Sequence, residues 1–313
     1  MVNVSIIILN WNTTKDTIEC LESLRRQTYK DYEIILVDNF SRPEEYESLR
    51  SYARKSRLPI RMFKTRVNLG FAGGSNFGAK KSRGKYFCFL NNDTVVEKNF
   101  LSELMRPFEH RNDIGATVGK LLYYKDGKKT KIVQYAGGKL TFYGMGVSNS
   151  IGRRDGEGSN RRGEQGIMSG TFVVPRSVVD KIKELFCEFY FFYFEETDLS
   201  WRIRSNGYKI VYIPQSVTYH KGSVSIKANK KVSVQDMFTI RNKYLTFFRN
   251  LPLVEFAAVL PVMFVYDLGR IAKHMARGNP MLLANFVLGF TKFLTSTNKV
   301  RKPRMGHLSE LRW

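Results

Sequence analysis

The stretch KYFCFLNNDTVVEKNF, residues 85–100, decides how the chain is read. Strand-forming residues run from Tyr86 and stop at Asn91-Asn92-Asp93, and a helix-like pattern follows over 96–106. Two amides and a carboxylate at the end of a buried strand need a reason. One is local: Asp93 caps the helix that follows. The other is that the strand ends at a ligand.

Working outward, the same alternation recurs. VSIIIL (4–9), YEIILVDN (32–39), IRMFKT (60–65) and YFCFLNN (86–92) read as strands. Between them, 14–27 and 43–55 have helical periodicity, with Thr13 or Thr14 capping the first, and GGSNFGAKKS (73–82) opens a short helix. Strands and helices in alternation with short loops imply an α/β fold with a mostly parallel sheet covered on both faces. Beyond about residue 114, two strands flank KDGKK, and 148–166 reads as a mobile Gly-rich loop. A strand over 167–176, a helix from Pro175, a helix from Phe194 to a stop at Gly207, and two further strand segments complete this half. From 233 onward the pattern is helical, with basic and apolar faces.

In an open parallel sheet, ligands bind at the carboxyl ends of the strands. Those ends carry Asn10-Trp11-Asn12, Asp38-Asn39, Asn68 and Asn91-Asn92-Asp93. Each alone reads as a turn or a cap; four on one edge read as a site. NLGFAGGSNFG (68–78) is not a phosphate-binding loop by spacing, so glycines such as Gly73 permit close approach of backbone to ligand or of helix to sheet. At such an edge Asp93 would hold Mg²⁺ or Mn²⁺ against a diphosphate. The second half adds Glu195, Glu196 and Asp198 in FEETD, and His220 at the end of SVTYH. Acids this close are costly without a cation nearby.

The net charge of +23 attracts phosphates, nucleic acids or anionic lipid. The basic residues are dispersed and no nucleic-acid-binding signature appears, so no nucleic-acid partner is expected. Cys20, Cys88 and Cys187 lie far apart among apolar residues and read as buried, reduced thiols. The opening MVNVSIIILNWN lacks a basic region and a cleavage site.

Taken together, VSIIILNWN, CLESLRRQTYKDYEIILVDNFS, NLGFAGGSNFGA, YFCFLNNDTVV, SGTFVVPRSV and YFEETDLSWRIRSNGYKIVYIPQSVTYHKGS resemble the family 2 glycosyltransferases, and most closely their rhamnosyltransferase-like members in surface-polysaccharide assembly. The resemblance runs from residue 3 to about 250. It implies a GT-A fold with a C-terminal helical extension, a dTDP- or UDP-sugar donor, a divalent metal and inversion at the anomeric carbon. It places Asn10, Trp11 and Asn12 beside the nucleotide, gives Asp38 the pyrimidine, and puts the family's metal motif on Asn91-Asn92-Asp93, where only the last acid remains. His220 becomes a further metal or diphosphate contact. The catalytic pair falls on Glu195-Glu196, with Glu where an Asp is usual, and the base stays open among Glu195, Glu196 and Asp198. The motif of processive synthases is absent, so one sugar is added at a time.

The expected organisation is a catalytic domain over 1–232, its nucleotide half to about 112 and its acceptor half from 113, followed by an extension over 233–313. Residues 221–313 hold 16 Lys or Arg against four Asp or Glu. Their two apolar stretches, 251–269 and 281–294, are broken by Glu255, Pro261, Asp267 and Lys292. That pattern suits a lipid-linked or glycan acceptor reached from an anionic membrane surface, with a cytoplasmic enzyme held there peripherally.

Overall fold

The segment 4–96 holds the four parallel strands at the core of the sheet and a short fifth strand that pairs antiparallel elsewhere. Its elements are β1 (Val4–Asn10), α1 (Thr14–Leu24), β2 (Tyr32–Asp38), α2 (Pro43–Lys55), β3 (Ile60–Lys64), α3 (Gly70–Lys81), β4 (Tyr86–Phe89) and β5 (Thr94–Val96). β1 and β2 are buried on both faces, which is why they read as unbroken apolar runs. A computed structural model of the protein describes residues 2–222 and 234–300. The second half contributes α4 (Phe100–Met105), β6 (Ile114–Lys125), β7 (Lys128–Tyr135), β8 (Gly138–Leu140), β9 (Gly146–Ser148), β10 (Gly163–Glu164), β11 (Phe172–Pro175), α5 (Arg176–Ile182), α6 (Glu195–Ser205) and β12 (Lys209–His220). Three helices follow: α7 (Val234–Asn250), α8 (Leu253–Met275) and α9 (Met281–Leu294).

The main sheet has the order β10-β12-β6-β11-β4-β1-β2-β3. β1 is parallel to β2 and β4, and β2 to β3. β11 is antiparallel to both β4 and β6, so β6 and its parallel neighbour β12 run the same way as β1–β4. The register sets Asn10 beside Asp38 at the strand ends. β6 and β12 run past the others, and their last residues form a ladder with β7 and β5. One helical layer, α1, α2 and α4, buries Cys20, Leu24, Leu49 and Phe100 on one face of the sheet. On the other face Ala72, Val178, Leu199 and Ile203 join the opposite core. α3 lies close because Gly78 has no side chain: a Cβ there would sit 2.7 Å from Ile7 Cγ2.

Several local expectations change. β4 ends at Phe89, and TVV forms the short β5, so the helix predicted over 96–106 begins only at Phe100, with Asn99 at its N-cap. Asp93 is therefore not a helix cap. Thr13 makes no capping bond to α1; Thr14 instead bonds Glu45 through its backbone N–H and hydroxyl. α3 starts at Gly70, three residues before the glycine pair. The strand expected over 167–176 is confined to 172–175, and the two segments after Gly207 are one strand with irregular register between Ile213 and Val217. Segment 148–166 is anchored: the buried Lys120 ammonium lies 2.6 Å from Asp155 Oδ1 and from Asn160 Oδ1. The three cysteines are free and buried.

α7 is part of the folded body. Its Tyr244 and Phe247 share a third core with Tyr190 and Trp201 from the α6 region and with Phe256, Phe286 and Phe293 of α8 and α9. The expected boundary at 232/233 lies outside the described residues, as do 301–313 of the extension.

Candidate active site

At the carboxyl edge of the sheet, a continuous set of hydrogen bonds joins three strand ends. Asn10 Nδ2 donates to Asp38 Oδ2 at 3.0 Å and to Ser41 Oγ at 3.1 Å, and the Thr17 hydroxyl donates to Asn10 Oδ1 at 2.8 Å. Asn92 Nδ2 donates to the hydroxyls of Thr13 and Thr17. Ser41 N–H returns to Asp38 Oδ1. Asp38 is thus buried, its carboxylate spent on orienting Asn10 and the 38–41 turn. Above it stand two exposed aromatic side chains, Trp11 at 44% and Phe40 at 52% exposure. Asn12 and Phe40 both have positive φ, 54° and 71°, and Asn12 Oδ1 accepts the Arg42 N–H, which pins the two turns together.

Asn68 is also used internally: its Oδ1 accepts Gly70 N–H at 2.8 Å and Asn39 Nδ2 at 3.2 Å, fixing the entry to α3. The space that a Gly73 side chain would take is filled by Leu69, whose Cβ is 2.9 Å away, so this glycine lets the entry to α3 pack closely. Beside α3, Ser75, Asn91 and Asn92 line a cavity of about 50 Å³ with Phe71 and Phe89. The buried Ser75 hydroxyl has no hydrogen-bond partner among the described residues. A wider cleft of about 350 Å³ lies between α1 and α2 and is lined by Thr14, Lys15, Ile18, Glu44, Glu45 and Ser48.

β5 and β12 bring Asp93 to His220. Thr94 pairs with His220 across the ladder, and Lys221 N–H donates to the Asp93 carbonyl at 3.0 Å. The His220 Nε2–Asp93 Oδ1 separation is 3.1 Å, and His220 Nδ1 lies 2.8 Å from Gln134 Oε1. With Nδ1–H given to that amide oxygen, a neutral imidazole turns the lone pair of Nε2 toward a carboxylate oxygen. Two acceptors then face each other, an arrangement that asks for a proton or a cation between them. Burial opposes ionisation of Asp93, but when the ring is protonated the hydrogen bond and charge of the imidazolium outweigh it and hold the carboxyl below its usual range. One carboxylate oxygen and one imidazole nitrogen suit Mn²⁺ better than Mg²⁺, which is held by oxygens, with the rest of the sphere left to ligand oxygens. Among the described residues, no three His, Cys, Asp or Glu side chains converge as a metal group. Lys221 stands next to this pair, its ammonium 2.5 Å from both Asp16 and Glu19.

The three acids of α6 have different surroundings. Asp198 is fully buried and neutralised: its Oδ2 takes Arg202 Nε at 2.8 Å, Oδ1 takes Asn250 Nδ2 at 2.8 Å, and Arg249 Nε is 3.3 Å away. Burial opposes its charge, and the two arginines still hold its carboxyl low. Glu196 is half-buried, with both carboxyl oxygens near Gly170 N–H at 3.2 and 3.3 Å. Burial pushes its carboxyl up to about 7, against the lowering effect of Gly170, Ser169 and the charge of His220. Glu195 is buried, its Oε2 has no hydrogen-bond partner among the described residues, and burial followed by the charge of Glu196 drives its carboxyl well above the ordinary range.

A strained segment aims these two glutamates. Phe191, Tyr193 and Phe194 all have positive φ, 64°, 69° and 72°, which aromatic residues rarely adopt. Such geometry persists where its surroundings over-determine it. Here Asn242 of α7 donates to the carbonyls of Tyr190, Phe192 and Tyr193, and Arg241 to those of Phe189 and Tyr190. From the other side Ala72 N–H donates to the Phe191 carbonyl, and a Cβ at Gly70 would lie 2.3 Å from that oxygen. The sequence reading missed Phe40, Ser41, Thr17, Gln134, Gly170, Lys221 and Asn242. Only Phe40 and Ser41 carried a signal, as DNFS at a strand end; the rest arrive from distant segments.

A mixed, mostly parallel sheet flanked by helices, with a polar carboxyl edge, is the GT-A architecture of sugar-transferring enzymes. The family model for "Glycosyl transferase family 2" matches residues 5–183, and the chain belongs to that family. It is 24% identical over 227 residues to the glycosyltransferase GlyG of Streptococcus pneumoniae, covering 71% of this chain and 72% of that one. It spans a quarter or less of the length of the next curated relatives it matches. Among solved structures it is similar to S. aureus TarS 1–349 in complex with UDP-GlcNAc, at TM-score 0.62 and 14% identity, over 94% of this chain and 81% of that one. It is also similar to the mannosyltransferase PcManGT from Pyrobaculum calidifontis in complex with GDP-Man and Mn²⁺, at TM-score 0.58 and 13% identity, over 93% and 87%. These likenesses confirm the expected fold.

Proposed function

We propose that this enzyme moves one sugar, rhamnose or another hexose, from a dTDP- or UDP-linked donor to a hydroxyl of a glycan or lipid-linked glycan, with inversion. The observation that carries the reading is the pairing of His220 with Asp93 at the carboxyl edge of the sheet, where the β5–β12 ladder sets His220 Nε2 3.1 Å from Asp93 Oδ1. Trp11 and Phe40 flank the nucleotide base, with Asn10, Asn12 and Asp38 shaping the turns beneath. Asn91, Asn92 and the unpartnered Ser75 hydroxyl face the donor, while Asn68 and Gly73 act through the fold of α3. Asp93 and His220 would hold Mg²⁺ or Mn²⁺, which when bound neutralises the charge of the leaving diphosphate.

Glu196 acts as base. It takes the proton of the acceptor hydroxyl as that oxygen bonds the anomeric carbon and the bond to the diphosphate breaks. A base with its pKa near 7 is half ionised at neutral pH and strong enough to accept the proton. Glu195, held neutral, is a hydrogen-bond donor toward a sugar oxygen. Asp198 is a structural anchor, since both its oxygens are spent on Arg202, Asn250 and Arg249. The test is a donor screen: purified protein with Mn²⁺ should hydrolyse one UDP- or dTDP-sugar slowly. Turnover of none, with neither UDP nor dTDP bound, would defeat the reading and favour an inactive scaffold.

We also propose that α8 and α9 rest on the cytoplasmic face of an anionic membrane. Asp267 and Asn285 point inward, while Val254 at 82%, Val265, Leu268, Leu283, Val287 and Leu288 are exposed. Lys273, Arg277 and Lys292 are exposed toward the helix ends. No described helix is long and apolar enough to cross a membrane.

A further inference from the structure

The anchored segment 148–166 carries four exposed arginines, Arg153, Arg154, Arg161 and Arg162. None of their guanidinium groups has an acid partner among the described residues. The segment's own acids are committed elsewhere: Asp155 to Lys120, Glu164 to Lys209, and Glu157 to the Arg154 backbone N–H. A segment anchored on a buried lysine yet displaying arginines without acid partners among the described residues presents them to something anionic.

The two arginine pairs differ in position. Val133 N–H donates to the Arg153 carbonyl at 2.9 Å, and Ile132 bridges Arg154. The next residue of β7, Gln134, is the one that contacts His220. Arg153 and Arg154 are thus laced to the strand that supports the acid–imidazole pair. Arg161 and Arg162 instead adjoin β10, whose Gly163 pairs with Tyr212 in the first half of β12. The chain between Tyr143, which touches α8, and the first pair carries exposed apolar side chains. Tyr143 stacks on Tyr266 of α8 with centroids 4.4 Å apart, Phe142 and Val147 are exposed in the β8–β9 hairpin, Ile151 is exposed just after it, and exposed Ile132 bridges Arg154.

We infer that Arg153 and Arg154 dock the diphosphate of a lipid-carried acceptor, whose chain lies along these apolar side chains toward the membrane and whose sugar reaches Glu196. A guanidinium binds a phosphate group through two parallel N–H···O bonds, which an ammonium point charge does not do. The inference rests on the transferase reading above and names its acceptor class.

The experiment measures co-flotation of the full chain, without nucleotide or metal, with phosphatidylcholine vesicles carrying a long-chain polyprenyl diphosphate. Vesicles carrying phosphatidylglycerol at matched charge are the reference. The native chain should bind the diphosphate vesicles roughly tenfold more tightly, as paired guanidinium–phosphate bonds require. R153Q/R154Q should remove that preference, while R161Q/R162Q, with the same loss of charge, should keep it. Both double variants should retain the native melting temperature and Mn²⁺-dependent nucleotide binding. Equal binding to both vesicles, or equal losses in the two variants, would overturn the site in favour of diffuse attraction to anions. If nucleotide binding is absent but the preference persists, the transferase reading fails and the diphosphate site stands. The reverse outcome removes the site and leaves the transferase.

Discussion

Arg249 of α7 lies 3.3 Å from Asp198 of α6, both side chains fully buried. Arg249 also reaches Glu184 at 2.6 Å, so one guanidinium joins the extension to the helix that carries the candidate base. Removing one partner of a buried pair leaves an uncompensated charge, at a cost of about 3–5 kcal/mol. R249M and D198N should each lower the melting temperature by several degrees, read by thermal unfolding. A D198N protein with native stability but no transfer would return Asp198 to the list of bases.

Glu196→Gln should reduce transfer by about 10²–10⁴-fold, the usual worth of a positioned base. Nucleotide binding should be unchanged, because the amide keeps the size and loses only charge and proton affinity. Glu195→Gln should cost far less, since its neutral acid is replaced by a neutral donor. Initial rates with a lipid-linked acceptor, alongside calorimetry of nucleotide binding, distinguish the two.

The pH dependence follows from the direction of the shift. Burial raises the Glu196 carboxyl to about 7, so the base is protonated in acid and activity should rise as pH passes through about 7. Stability should run the other way. Glu195 and Glu196 bind protons more tightly folded than unfolded, so their contribution is complete below the ordinary Glu range and is lost as pH rises through their folded values. A rate profile and a melting profile over pH 5–9 should therefore slope in opposite directions. Parallel slopes would show that the activity limb reports unfolding instead.

Asp93→Asn should abolish the Mn²⁺ dependence of UDP or dTDP binding. Gln134→Ala, which frees the ring His220 turns toward Asp93, should weaken Mn²⁺ about 10–100-fold, the usual loss when a ligand's orienting partner is removed. Titration followed by calorimetry reads both. Unchanged metal dependence in D93N would sink the metal assignment.

The outer face of α8 and α9 is tested by point substitution. Ending the chain near 250 is a poor test, because Lys243 is buried against Asp267 of α8 and would be left without its partner. Val265→Asp and Val287→Asp alter exposed positions, so the fold should survive. Each should weaken flotation with anionic liposomes, since carboxylates at a membrane surface lose apolar contact and repel the lipid. Native flotation in both variants would leave this face as a packed cap only.

The strand-end polarity was legible without coordinates. Asn10, Asp38 and Asn91-Asn92-Asp93 interrupt apolar runs, and a buried parallel strand accepts such residues only where it ends at a ligand edge. The alternation of periods gave the order of elements through β4 for the same reason, because each strand and helix writes its own spacing. Partner choice was not legible. Asp93 could cap a helix or face a cation, and only the β5–β12 ladder, which pairs Thr94 with His220, decides between them. Three acids in FEETD look alike in sequence; Arg202 and Arg249 neutralise Asp198, while their surroundings raise the carboxyls of Glu195 and Glu196. Nor could sequence show that Asp267 faces inward to Lys243, so that a charge which seemed to break an apolar stretch leaves the outer face of α8 apolar. Local spacing determines which residues share a strand or helix face; electrostatic environment depends on what distant segments bring within a few ångströms, and that is decided only by the tertiary fold.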